Sequence, residues 1–320
     1  EQTGTPGTIR YAGCPAEETD NGKVPMALAG AFDGVAAAIH WHPGDRAAVA
    51  NIKTAAITSL RVTFHGRTAH AGAEPWMGRS ALHALELFAH GVNLMREHMR
   101  PTSRMHYIFN DTGTAANVIP DLASAQILYR DADADLVKIG EEWIGQIANA
   151  AAMATQTTVE ISHEGGANDL MPNGPLAVRS QAVLEAVGVP TWTDDEQAFA
   201  VEGQRNAGLP QEGLDTTVTP LLPEMTFGAS TDVGDVSNIT PTMGFSMPTV
   251  PIGVSMHTWL ATASHGTSIG HKGAIYVALA LAALGAEILT DAQLRDEAKA
   301  DFDKRMAGKP YTPLAPIDAG

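Results

Sequence analysis

Two consecutive carboxylates, Glu17-Glu18, stand beside Gly13-Cys14-Pro15, and an imidazole, His42, follows in Trp41-His42-Pro43. Carboxylate and imidazole are the side chains that bind Zn²⁺ or Mn²⁺. Adjacent carboxylates can divide the labour, one holding metal while the other takes a proton from an attacking water. Twelve histidines occur, and His257, His265 and His271 fall within one loop-to-helix stretch. Taken singly, these features have ordinary readings. Paired Glu after a strand suits a solvated loop, and a lone His is more often hydrogen-bonded structure than ligand. Convergence needs a scaffold, and the ends of parallel strands supply one, because ligands bind beyond their carboxyl ends.

The elements predicted around these residues have that grammar. Thr8–Gly13 reads as a strand, Val24–Ala31 as a short helix and Val35–Ile39 as a second strand, a βαβ-like order that implies a parallel sheet. The texture then changes. Ser59–Gly66 alternates as a half-buried strand, Ser80–His98 has helical periodicity, and Arg104–Asn110 and Ser124–Arg130 are strand candidates. Asp135–Thr155 reads as a helix and Thr157–Ser162 as a closing strand, which makes an α+β insertion of about 100 residues. After it, Leu176–Val187 and Asp194–Leu209 read as helices and Pro210–Pro223 as a long loop. Gly228–Val236, Pro241–Gly253 and a helix from His271 complete the sheet side. The expected division is a first catalytic segment at 1–56, an inserted lid at 57–165, a second catalytic segment at 166–308 and an irregular tail at 309–320.

Composition narrows the function classes. Lys and Arg number 20 against 36 Asp and Glu, a formal net charge of −16, so a phosphate backbone is a poor partner and no nucleic acid is expected. No apolar run in the sequence approaches the roughly 20 residues of a membrane span, and no membrane association is expected. A single cysteine, Cys14, precludes an internal disulfide and points to a reducing, cytoplasmic setting. Glu1–Gly7 has no apolar signal-peptide region and no initiating Met, so the expectation is a start inside a longer chain.

Several motifs together carry a resemblance. Gly13-Cys14-Pro15-Ala16-Glu17-Glu18, Trp41-His42-Pro43, Gly66-Arg67-Thr68-Ala69-His70-Ala71 and Gly78-Arg79-Ser80-Ala81-Leu82 resemble the dinuclear metallo-amidohydrolases. That family includes hippurate hydrolase, the plant indole-acetyl-amino-acid hydrolases and glutamate-releasing carboxypeptidases. The segment Gly228–Ser237, Met256-His257-Thr258-Trp259 and Thr267–Gly273 are most similar to the branch acting on p-aminobenzoyl-glutamate. The resemblance implies an α/β catalytic domain of the zinc-peptidase type with a central, mostly parallel sheet, and an inserted ferredoxin-like lid that dimerises. It implies hydrolysis of an amide between an acyl or aroyl group and an amino acid, with two divalent ions, Mn²⁺ or Zn²⁺. The substrate class is a small N-acyl amino acid.

Position by position, the resemblance implies Glu17 as general base and Glu18, His42 and His257 as metal ligands, with His271 as the substitute for His257. It implies His70 as a lid histidine that reaches across a homodimer, or a heteromer with a related subunit, to an oxyanion. Asn117 and Arg130 become substrate-binding residues, Arg130 for a carboxylate. Two departures stand out. Trp76 occupies the place of a second lid histidine, and the family's early His/Cys-Gly-His motif, with its bridging metal ligand, has no counterpart. The competing class is a non-catalytic subunit or binding protein that keeps the fold. Serine hydrolysis at Ser230 is disfavoured, since Asp232 stands where a nucleophile elbow needs glycine.

Overall fold

The computed structural model describes residues 4 and 6–314. The last part of the tail, 315–320, and residues 1–3 and 5 lie outside them. Thr8–Gly13 forms no strand. A β-rich run becomes a strand only when a partner satisfies its backbone, and none of the described strands pairs with it.

The first elements are α1 (Lys23–Leu28), β1 (Ala38–Gly44), β2 (Ala48–Val49) and β3 (Ile52–Thr54). The inserted unit follows as β4 (Ala56–His65), α2 (Ala81–Met95), β5 (Arg104–Asp111), β6 (Leu122–Asp131), α3 (Ala134–Thr155) and β7 (Thr158–Ala167). The chain then returns through α4 (Gly174–Val187), α5 (Asp194–Asn206), β8 (Met225–Phe227), α6 (Val233–Ser237), β9 (Thr242–Pro248), α7 (Trp259–His265), α8 (Ser268–Thr290) and α9 (Ala292–Met306). Gly228–Val236, expected on the sheet side, is loop and then α6.

The inserted unit is an antiparallel sheet of order β5-β6-β4-β7 under two helices, the ferredoxin-like arrangement. Strand β4 alternates without a break, burying Ala56, Thr58, Leu60, Val62 and Phe64 on one face. That face meets Leu85, Phe88 and Val92 of α2 and Val137, Ile144 and Ala148 of α3. Burying each large apolar side chain contributes about 1.5–3 kcal/mol. Ser80 caps α2 by accepting from the His83 amide at 3.2 Å, and Asp133 caps α3 from the Leu136 amide at 2.9 Å.

Helix α3 approaches the sheet closely at Gly140, where a Cβ would lie 2.1 Å from the Tyr129 ring. The ring cannot retreat freely, because its hydroxyl sits 3.2 Å from Asp131 and 3.3 Å from Ser103. Gly140→Ala should therefore lower stability by about 1–3 kcal/mol, despite alanine's better helix propensity, and a thermal melt showing unchanged or raised Tm would contradict this packing.

In the body, β1 runs parallel to β9, β2 pairs antiparallel on the other side of β9, and β3 is parallel to β8. Helices α4 and α8 cover the first of these sheets through Leu176, Leu184, Val277, Ala280 and Leu284. By length and composition α8 is long enough and apolar enough to cross a membrane, contrary to the sequence expectation. Gly, His and Lys interrupt the apolar run without interrupting the helix, and its inner face packs on β1 and β9.

Glu196 ties α5 to α8. It accepts from Lys272 Nζ at 2.7 Å and the Thr193 amide at 2.7 Å, and from the Ser268 hydroxyl. Although its burial acts to raise the pKa, these donors prevail and hold the carboxyl down at about 2 against an ordinary 4.5. A depressed folded pKa stabilises above the unfolded value and loses that contribution as pH falls through the folded one. Tm should thus drop more steeply between pH 4.5 and 2 in the parent than in Glu196→Gln.

Candidate active site

Glu17 and Glu18 lie in a tight turn closed by the Asp20 amide on the Ala16 carbonyl at 2.9 Å. Ala16 holds a left-handed φ of 54°, rare for a residue with a side chain. The loop is pressed against itself at Gly22, where a Cβ would meet the Pro15 carbonyl oxygen at 2.0 Å. The segment before α6 anchors this turn. Thr231 Oγ1 donates to Glu17 Oε1 at 2.7 Å, and the fully buried Asp232 accepts from the Lys23 amide at 2.9 Å and from its ammonium at 2.7 Å. One turn of helix further on, buried Asp235 accepts from the Asn168 amide at 3.0 Å, its side chain at 2.8 Å and the Tyr311 hydroxyl at 3.0 Å. Burial outweighs those donors and raises its carboxyl to about 6.

His257 brings its Nε2 to 3.8 Å from Glu18 Oε2. It too sits at positive φ, 62°. Among the described residues, His257 and not His271 is the imidazole within 4.0 Å of Glu18. Left-handed backbone at both Ala16 and His257 is the kind of local strain that marks functional loops. His42 does not join this pair. Its Nδ1 is 2.7 Å from the carbonyl oxygen of the next residue, Pro43. Burial, with charge from Lys23 and then His42, depresses His40 to about 4.

Among the described residues, no three His, Cys, Asp or Glu side chains gather as a metal site. The expected set Glu18, His42 and His257 is therefore assembled only as far as its first and last members. The donors that do meet are the right kinds for Zn²⁺ or Mn²⁺ but fall short of the three or four protein ligands such a site takes. Glu18 and His257 would hold one edge of it.

Arg130 lines, together with Glu17 and Glu18, a cavity of about 460 Å³. The guanidinium comes from β6, opposite Ile57 of β4, and Ser59, Gln126 and Ser230 complete the adjoining walls. Burial pulls the pKa of the Arg130 guanidinium downward, and a guanidinium stays cationic regardless.

His70 and Asn117 lie elsewhere. The Ala71 amide bonds the Asn117 carbonyl at 2.9 Å and the Ile119 amide bonds Ala69 at 3.0 Å, so the two loops travel together. His70 Nδ1 accepts from the amides of Gly72 and Ala73, both at 3.2 Å. A neutral ring that accepts at Nδ1 carries its proton on Nε2, as a donor. Strand β4 separates this loop from the cavity. At about 3.3 Å per residue, Ser59 to His65 alone spans about 20 Å, and His70 lies beyond. One chain thus places Glu17, Glu18 and Arg130 together, and His70 with Asn117 at the far end of the inserted unit.

Sequence reasoning did not single out Thr231 as the holder of Glu17, or Lys23 and Asp232 as its support. The signal available was the Ser-Thr-Asp run inside Gly228–Ser237.

Comparison with known proteins agrees with this architecture. The family described as "Peptidase dimerisation domain" matches residues 52–156. The chain is 32% identical to a subunit of the p-aminobenzoyl-glutamate hydrolase of Escherichia coli (strain K12), an alignment covering 97% of this chain and 70% of that one. The chain belongs to that family of metallo-amidohydrolases. Human Xaa-Arg dipeptidase is 27% identical over 94% of this chain and 63% of its own length. The crystal structure of an aminobenzoyl-glutamate utilization protein from Klebsiella pneumoniae superposes with a TM-score of 0.54 at 20% identity, covering 90% of this chain and 60% of that one. It shows the shared fold. The chain thus spans less than two thirds of the length of these last two proteins. Relatives in the family are hydrolases and peptidases, and the family depends on divalent metal.

Proposed function

We propose that the protein containing this chain hydrolyses the amide between an acyl or aroyl group and an amino acid, as in conversion of p-aminobenzoyl-glutamate to p-aminobenzoate and glutamate. One observation supports the reading: the Glu17 carboxylate and the Arg130 guanidinium line one cavity of about 460 Å³, groups suited to accept a proton and to hold a carboxylate. Segments 1–56 and 166–308 serve as the catalytic body, and 57–165 as the lid.

Arg130 takes the carboxylate of the amino-acid half, which sets the scissile amide on the side of the turn that bears Glu17 and Glu18. Glu17, oriented by Thr231, removes the proton from the attacking water and returns it to the leaving amine. Glu18 and His257 supply the carboxylate and imidazole for a divalent ion, Mn²⁺ or Zn²⁺. When bound, such an ion lowers the pKa of water toward neutrality. His70, with Nε2–H free to donate, suits an oxyanion, and Asn117 accompanies it. Both reach a site only from a second lid, so a homodimer or a heteromer with a related subunit follows, in keeping with the dimerisation-domain match. The proposed setting is the cytoplasm, which suits a chain with one cysteine.

A second reading, a non-catalytic binding protein, draws on the two-member donor set. One assay separates them. Native full-length protein supplied with Mn²⁺ or Zn²⁺ should release p-aminobenzoate from p-aminobenzoyl-glutamate, and a chelator should stop it. Metal-loaded protein that binds the conjugate without releasing p-aminobenzoate would favour the binding role.

A further inference from the structure

Buried polar atoms nearly always have partners, and those left alone call for an explanation. Among the described residues four enclosed side-chain atoms have none: Arg130 Nε, Ser180 Oγ, Gln181 Oε1 and Ser230 Oγ. Ser180 and Gln181 are neighbours on α4, in the helical layer of the body. Arg130 and Ser230 have no such adjacency in sequence, yet both line the cavity that holds Glu17. Arg130 is contributed by the lid and Ser230 by the body, so the two orphans come from independent elements.

The local sequence shows why Ser230 is left over. In Ser230-Thr231-Asp232, the threonine hydroxyl is used on Glu17 and the aspartate on Lys23. Both of those side chains build the turn that carries the base. The serine hydroxyl takes part in neither task. It is enclosed, unbonded, and lines the same cavity as Glu17 and Arg130.

Nε–H of arginine can only donate, and a serine hydroxyl has one hydrogen to donate. A carboxylate offers two acceptor oxygens, the complement of two donors on one cavity. We infer that Ser230 is a second arm of the carboxylate receptor, so that one free α-carboxylate of the substrate is held by Arg130 of the lid and Ser230 of the body together. This rests on the amide-hydrolysis reading for the placement of the amino-acid half, and it narrows the substrate class. Productive ligands carry an ionised α-carboxylate on the amino acid, and N-acyl amino acid amides forfeit the clamp. It also gives the carboxylate a mechanical role, since a ligand gripped from both sides fixes the lid against the body.

The test uses native full-length protein with Mn²⁺, comparing the parent with Ser230→Ala on p-aminobenzoyl-glutamate and on its α-carboxamide. For the acid, KM should rise about tenfold in the variant with kcat within about twofold, as expected for loss of one hydrogen bond to a charged group. For the carboxamide, KM should be the same in both proteins. Tm should not fall, because the hydroxyl removed bonds nothing in the free protein. An unchanged KM for the acid overturns the inference, and so does an equal rise for both ligands or a lowered Tm, which would mark Ser230 as structural. Calorimetric Kd values for the same two ligands keep the outcomes distinct. If the parent binds without hydrolysing, the proposed reaction fails while the Kd ratio still decides the role of Ser230. Absence of both binding and turnover overturns both.

Discussion

Glu17→Gln should lower kcat for amide hydrolysis by about 10²–10⁴, the usual share of a positioned general base, while the metal content of the protein stays the same. The substitution is close to isosteric. Thr231 Oγ1 donates to Glu17 Oε1 at 2.7 Å, and a glutamine carbonyl accepts that bond equally well, so the turn keeps its shape. What disappears is the capacity to take a proton from water and return it to the amine. The donors assigned to metal, Glu18 and His257, are untouched. Steady-state kinetics beside elemental analysis of the purified variant would check both halves. A kcat within a factor of three of the parent would place the base elsewhere, and a loss of metal along with activity would make Glu17 a ligand.

The second large effect concerns stability. Lys23→Met should destabilise the protein by about 3–5 kcal/mol, the cost of stripping one partner from a buried ion pair. Asp232 is fully buried and accepts from both the amide and the ammonium of Lys23, at 2.9 and 2.7 Å. Methionine preserves the amide bond and the aliphatic stem but leaves the carboxylate without a counter-charge. Adding Asp232→Asn should recover much of the loss, since a neutral amide is less costly to bury than an unpaired charge. Urea unfolding of the two single variants and the double variant gives the comparison. Equal destabilisation by the single Lys23→Met and by the double variant would show that packing, not charge, is at stake. Because Thr231 precedes Asp232 in the chain, the single variant should also lose turnover at temperatures where it remains folded.

The inserted α+β unit was the most legible part of the chain, for a physical reason. Its strands have one face on helices and one face elsewhere, so β4 writes its burial into a strict alternation, and α2 and α3 carry their apolar stripes at helical spacing. The body was less legible. Thr8–Gly13 has strand composition but forms no strand among the described residues, and β1 begins at Ala38 rather than Val35. Gly228–Val236 contains small and acidic residues whose use depends on distant groups: Thr231 on Glu17, Asp232 on Lys23, Asp235 on Asn168 and Tyr311. No local pattern encodes those partners. Helix α8 exceeded the length read from its apolar run, because helix formation tolerates polar residues that a hydropathy scan treats as ends.

The candidate site divides in the same way. Residue types drew attention to the Glu17-Glu18 doublet, His42 and His257, whose side chains are metal ligands and proton acceptors, while His70, Asn117 and Arg130 stood out only through the family resemblance. Which of them meet was decided by tertiary structure. Glu18 reaches His257 but the His42 ring bonds the carbonyl of the next residue, Pro43, and Arg130 shares a cavity with Glu17 while the length of β4 keeps His70 and Asn117 away. Sequence carries the donors and acceptors one at a time. Distance between them is set by strand length, register and burial, which exist only once the chain has folded.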